Sequence, residues 1–102
     1  RIPVVYAANF SVGVTLLLRL AAICGDALGT GWDAEIFEIH HRLKRDAPSG
    51  TALRLGREVA ASTGRRLQDV FVTDRSERNQ PRGDAEIGVI AARGGDVVGE
   101  HT

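Results

Sequence analysis

"DAEIFEIHHRLKRDAPSGTALRLG", Asp33 to Gly56, begins as a strand and ends as a helix. From Asp33 to His40 polar and apolar residues nearly alternate, which places Ala34 and Ile36, and by parity His40, on one face of an extended segment. Asp46-Ala47-Pro48-Ser49-Gly50-Thr51 is turn chemistry, and Thr51 to Ala61 has its apolar residues Leu53, Leu55, Val59 and Ala60 at helical spacing. A strand that feeds a helix, among other short strands, implies an α+β domain with a mixed β-sheet covered on one face by helices.

Upstream, Ile2 to Tyr6 is continuously apolar and β-rich, which predicts a strand, and Ala7-Ala8-Asn9-Phe10 leaves it as a loop. Ser11 is placed to cap a helix from Val12 to about Ala27, apolar almost all round and therefore expected to be largely buried, with Cys24 inside it. The glycine-rich stretch Gly25 to Gly31 ends that helix. A dinucleotide fingerprint needs glycines between a strand and a helix start, whereas these follow a helix and precede a strand, so a helix C-cap is the better reading. Downstream, Val70 to Thr73 reads as a short strand and Asp74 to Asp84 as a long exposed loop, of a length often used for function or assembly. Glu86 to Arg93, a Gly94-Gly95-Asp96 turn and Val97 to Thr102 read as a β-hairpin.

The 102 residues suffice for one domain with a modest core, which is small for a two-substrate enzyme. Thirteen basic and thirteen acidic residues cancel, so no global field draws the chain to nucleic acid or to an anionic membrane. The single Cys24 has no internal disulfide partner and points to a reducing, cytoplasmic setting. No apolar stretch is expected to reach membrane-spanning length, and Asn9-Phe10-Ser11 matches a glycosylation sequon of the kind that arises by chance. The absence of Met, the opening on a strand under way and the ending without a stop signal suggest an internal piece of a longer protein.

Charge is concentrated between His40 and Arg45. Adjacent strand residues point to opposite faces, so His40 and His41 cannot share a metal, and no metal site is expected. Ser49 lacks the preceding glycine of a nucleophile elbow. His41, Arg42, Lys44 and Arg45 stand before a helix whose first N–H groups lie near Gly50 and Thr51, with the Ser49 and Thr51 hydroxyls as further donors. That arrangement suits a small dicarboxylate, with a histidine beside it able to carry a proton. On physical grounds alone the same run reads equally well as a solvated basic face.

Glu35 to Ala52, "EIFEIHHRLKRDAPSGTA", resembles the signature of the 4-hydroxy-tetrahydrodipicolinate (dihydrodipicolinate) reductases. The likeness extends to Ala7-Ala8-Asn9-Phe10-Ser11-Val12-Gly13-Val14 and to Gly95-Asp96-Val97-Val98-Gly99-Glu100-His101-Thr102. It implies the glyceraldehyde-3-phosphate-dehydrogenase-like C-terminal domain of that family. Residues 1–10 would be the interdomain connection, and 11–102 a substrate-binding and oligomerisation domain cut at its C-terminal end. It implies His40 as general acid/base and Lys44 as proton donor. His41, Lys44, Ser49, Gly50 and Thr51 would hold a dicarboxylate, and Ala7, Ala8, Asn9 and Phe10 would meet the nicotinamide end of NADPH or NADH. The rest of that cofactor would lie on an N-terminal Rossmann domain, so the piece by itself is expected to be inactive. A cytoplasmic homotetramer acting in lysine and diaminopimelate biosynthesis, without metal, nucleic acid or membrane, is the implied setting. The competing reading is a non-catalytic oligomerisation or dicarboxylate-binding module.

Overall fold

Alternation in Asp33–His40 becomes strand β1, Ala34–His40, and the computed structural model describes residues 1–7 and 9–102 around it. β1 is flanked on one side by β3 (Ile87–Arg93), which runs parallel to it in the register Ala34↔Ile87 through His40↔Arg93. On its other side lies the short antiparallel β4, Glu100–His101. β2, Phe71–Val72, pairs parallel with the start of β3, giving the sheet order β2-β3-β1-β4. The sheet is mixed, as the sequence implied.

Helix α2, Gly50–Ser62, is the returning arm of the strand-to-helix passage and lies on the sheet. Its Ala52, Leu55 and Ala60 pack with Ile36 of β1 and with Ile87 and Val89 of β3, both fully buried, in one core. Gly56 permits a close approach there: a Cβ at this position would lie 3.0 Å from Leu67 and 3.6 Å from Ile36. Leu67 belongs to the one-turn helix α3, Leu67–Val70, so the expected strand from Val70 to Thr73 shrinks to its two middle residues.

Helix α1, Val12–Leu28, begins where Ser11 accepts the Val14 N–H at 3.3 Å, and continues through Gly25 to end at Gly29, whose φ is 68°. Its expected burial is not found. α1 packs on α2 through one stripe, Val14, Leu18 and Ala21, and at Gly25 a Cβ would stand 2.0 Å from the Ser62 hydroxyl. A helix with one neighbour buries only the face turned to it. Leu16, Leu20, Ile23 and also Cys24 are therefore exposed. Contrary to expectation, Val12–Gly31 is, at 20 residues, long and apolar enough to cross a membrane by length and composition alone. Only 6% of that stretch is buried, and Leu18, its one buried residue, joins the core cluster of Ala52 and Leu55.

Two further expectations fail for want of partners. Ile2 to Tyr6 forms no strand and is exposed, because a strand exists only where a neighbour takes its N–H and C=O groups, and none of the described residues does so. The glycine turn after β3 does not close a hairpin. Gly94 N–H donates to His40 O at 3.1 Å and Arg42 N–H to Gly95 O at 3.1 Å, which ties the turn to the end of β1. The chain then passes that end and enters the sheet on the far edge of β1, where Phe37 and Thr102 exchange two backbone hydrogen bonds of 2.8 Å. Phe37, Ile39, Ile90 and Ala92 line the opposite, uncovered face of the sheet, with Phe37 half exposed.

Candidate functional site

Parity along β1 puts Glu38 on the same face as Ile36 and His40, beneath α2, so the strand carries an acid into the core. A bare carboxylate there would be costly, and Glu38 is fully engaged. Arg93, its diagonal neighbour on β3, donates to it through Nη1 at 2.7 Å and Nη2 at 2.9 Å, and Ser49 N–H donates at 2.8 Å. His40 Nδ1 lies 2.6 Å from Oε2. Burial by itself would raise the Glu38 pKa, but the Arg93 guanidinium, the His40 ring and the Ser49 N–H together hold it at about 2.

His40 is the last residue of β1. Its ring meets that of His101 edge-on, with centroids 5.1 Å apart, and its Nε2 lies beside Gly99, where a Cβ would be only 2.7 Å away. His101 Nε2 shares a hydrogen bond of 2.9 Å with the Ser49 hydroxyl. Burial lowers the His101 pKa, and the positive charges of His40, Lys44 and Arg93 lower it further against the pull of Glu38. Ser49 thus does three things. Its N–H binds Glu38, its hydroxyl meets His101, and the same hydroxyl accepts the Ala52 N–H at 3.1 Å as the N-cap of α2.

That cap satisfies the third N–H of the helix. The N–H groups of Gly50 and Thr51 have no partner among the described residues, and there is open space where a Gly50 side chain would be. Lys44 Nζ lies 3.0 Å from Asp46 Oδ1, and this lysine holds the Asp46 carboxyl below the usual carboxylate range. Asp46 is 63% exposed, and so open a pair is weak enough for a ligand carboxylate to replace it. Lys44, whose charge acts on His101, thus belongs to the same neighbourhood as His40, His101 and the open end of α2, a set of donors suited to an anion.

Of the residues singled out from sequence, His40, Lys44, Ser49, Gly50 and Thr51 come together here. His41 follows the strand end, half buried, and its carbonyl accepts the Lys44 N–H at 3.1 Å, while Arg42 and Arg45 point into solvent. Ala7, Asn9 and Phe10 lie before α1, where Asn9 Oδ1 accepts the Ser11 N–H at 2.6 Å, and among the described residues no hydrogen bond joins them to the site. Ala8 lies outside the described residues. Sequence reasoning missed Glu38, Arg93 and His101. The signal was present for the first, since an acid two residues before His40 on a core-facing parity is anomalous, but Arg93 needed the β1–β3 register.

The family described as dihydrodipicolinate reductase, C-terminus, matches residues 13–102. The 4-hydroxy-tetrahydrodipicolinate reductase of Rubrobacter xylanophilus is 58% identical over 100 residues, covering 98% of this chain and 38% of that protein. The enzyme of the same name from Pseudomonas fluorescens is 54% identical over 102 residues, covering 100% of the chain and again 38% of the relative. Among solved structures, a dipicolinate-bound dihydrodipicolinate reductase from Paenisporosarcina sp. TG-14 superposes with a TM-score of 0.66 at 26% identity, over 93% of this chain and 35% of that one.

Proposed function

The chain belongs to the dihydrodipicolinate reductase family, over that family's C-terminal domain, and from this we propose that it supplies the substrate-binding and acid–base half of a reductase. The reaction is NAD(P)H-dependent reduction of 4-hydroxy-tetrahydrodipicolinate to tetrahydrodipicolinate, in lysine and diaminopimelate biosynthesis. The observation that carries the reading is the pair of N–H groups of Gly50 and Thr51, unpartnered among the described residues, next to Ser49, which is tied to His101 directly and to His40 through Glu38. One substrate carboxylate sits on those N–H groups, with the Ser49 and Thr51 hydroxyls nearby. Lys44, released from Asp46, and His41 hold the rest of the dicarboxylate. His40 and Lys44 deliver the proton that accompanies reduction and loss of water. Dipicolinate in the Paenisporosarcina structure is a planar dicarboxylate of the same kind.

When bound, the nicotinamide supplies the hydride. Ala7 and Asn9 are half buried and Phe10 is 72% exposed, an open segment that fits contact with the nicotinamide end. The glycine run does not fit the pyrophosphate: Gly29 caps the C-terminus of α1, where carbonyls rather than N–H groups point outward. The rest of the cofactor therefore belongs to residues outside this chain, which spans 38% of the length of the curated relatives. The uncovered sheet face of Phe37, Ile39, Ile90 and Ala92 suits assembly with further copies, and a cytoplasmic homotetramer is the arrangement proposed.

Turnover by the full-length protein tests the roles. His40→Gln and Lys44→Ala each lower kcat by about 10²- to 10⁴-fold while cofactor binding and the melting temperature hold. Unchanged turnover in both variants overturns the assignment.

A further inference from the structure

We infer that Glu38 is a positioning residue that sets both halves of the site at once, His40 through its Nδ1 and the N-terminus of α2 through Ser49 N–H. The inference rests on the reading of His40 as proton carrier and of Gly50 and Thr51 as the carboxylate cradle. A carboxylate accepts hydrogen bonds and does not donate them, so the 2.6 Å contact makes Nδ1 a protonated nitrogen of the His40 ring. Nε2 is then the nitrogen that takes and returns a proton, as with an acid-oriented histidine in a hydrolytic triad. Glycine at 99 leaves that nitrogen uncrowded, since a Cβ would approach it to 2.7 Å.

The other oxygen of Glu38 receives Ser49 N–H at 2.8 Å, immediately before the Gly50 and Thr51 N–H groups. Ring and cradle are therefore indexed to one rigid group. Rigidity comes from Arg93: its two nitrogens grip the carboxylate, and they also donate to Asp46 O and Ala92 O, each at 2.6 Å. The Glu38 side chain has no exposed surface, so it touches no ligand and acts only through its neighbours.

The test is a double-mutant cycle on kcat in the full-length enzyme, with Glu38→Gln and His40→Gln singly and together. Glu38→Gln alone is expected to lower kcat by about 10- to 100-fold and to lower kcat no further once His40 is Gln, while the cradle's share appears as a raised KM in both backgrounds. A wild-type rate for Glu38→Gln, or an equal fractional loss in both backgrounds, overturns the inference, the latter because it marks a merely structural effect. If His40→Gln itself keeps turnover, it is the proton-carrier reading that fails, and the inference falls with it. Should the Glu38 variant not fold, the ¹⁵N spectrum of histidine-labelled wild-type enzyme decides: a His40 protonated at Nδ1 supports the inference, and one protonated at Nε2 alone overturns it.

Discussion

Glu35 and Glu38 stand three residues apart on β1, point to opposite faces and each bind arginine in a two-pronged grip, yet they do different work. On the face away from α2, Arg75 grips Glu35 at 2.7 and 3.1 Å and Arg82 adds a contact of 3.0 Å. Gly88 faces Glu35 in the β1–β3 register, and a Cβ there would stand 1.8 Å from the carboxylate. Arg75 and Arg78 also bind Glu86, and Arg82 reaches Asp33, so the segment from Asp74 to Glu86 is pinned to the sheet. Every strong partner of Glu35 is an arginine, and its side chain remains 26% exposed. Glu38 gives its remaining lone pairs to a histidine and to a helix N-terminus, with no exposure at all. The same residue type is a loop clasp where solvent shares its charge and a site organiser where solvent is absent.

The largest contrast between them should appear in stability. Glu38→Ala takes the acceptor from Arg93, from His40 and from the Ser49 N–H at a side chain with no exposure and is expected to cost about 3–5 kcal/mol, whereas Glu35→Ala, where water can replace the 26% exposed carboxylate, costs roughly 1–2 kcal/mol. Equal shifts in urea midpoints for the two variants would break the comparison. Acid sharpens it next. With its pKa held at about 2 against 4.5, Glu38 stabilises the fold fully above pH 4.5 and loses that contribution as pH falls toward 2, a change of order 3 kcal/mol. Glu35 is also lowered, its burial outweighed by Arg75 and Arg82, and it too loses its share as pH falls below 4.5. Glu38→Gln should therefore flatten the acid limb of a stability profile more than Glu35→Gln does.

The smallest effect lies at the capping serine. Ser49→Ala removes the N-cap bond to Ala52 and the partner of His101, for a cost of about 1 kcal/mol by thermal melting. Because the folded-state pKa of His101 lies below its ordinary 6.5, the folded state resists protonation, and stability declines as pH falls below 6.5. His101→Gln should remove that decline between pH 8 and 5, and its persistence in the variant would assign it to another group.

Local pattern was enough to place the strand, the turn and the helix of residues 33–62, because alternation, a capping serine and helical spacing depend on neighbours in the chain. For the same reason His40, Lys44, Ser49, Gly50 and Thr51 were legible as a group: they are all within twelve residues of one another. The β-hairpin reading of residues 86–102 failed where locality fails. Gly94 and Gly95 could close a turn, but β1 offered both the β3 edge and the far edge that β4 occupies, and pairing is settled by which edges are open. Burial of α1 was misjudged likewise, since composition states how much apolar surface a helix has and only packing states how much of it meets a neighbour. By itself the sequence determined the elements around the turn and the residues that can hold an anion there. Tertiary structure decided that Arg93, fifty-five positions away, would meet Glu38, and so which buried charge holds the histidine in place. Parallel register is a relation between distant segments, and nothing in either segment alone encodes it.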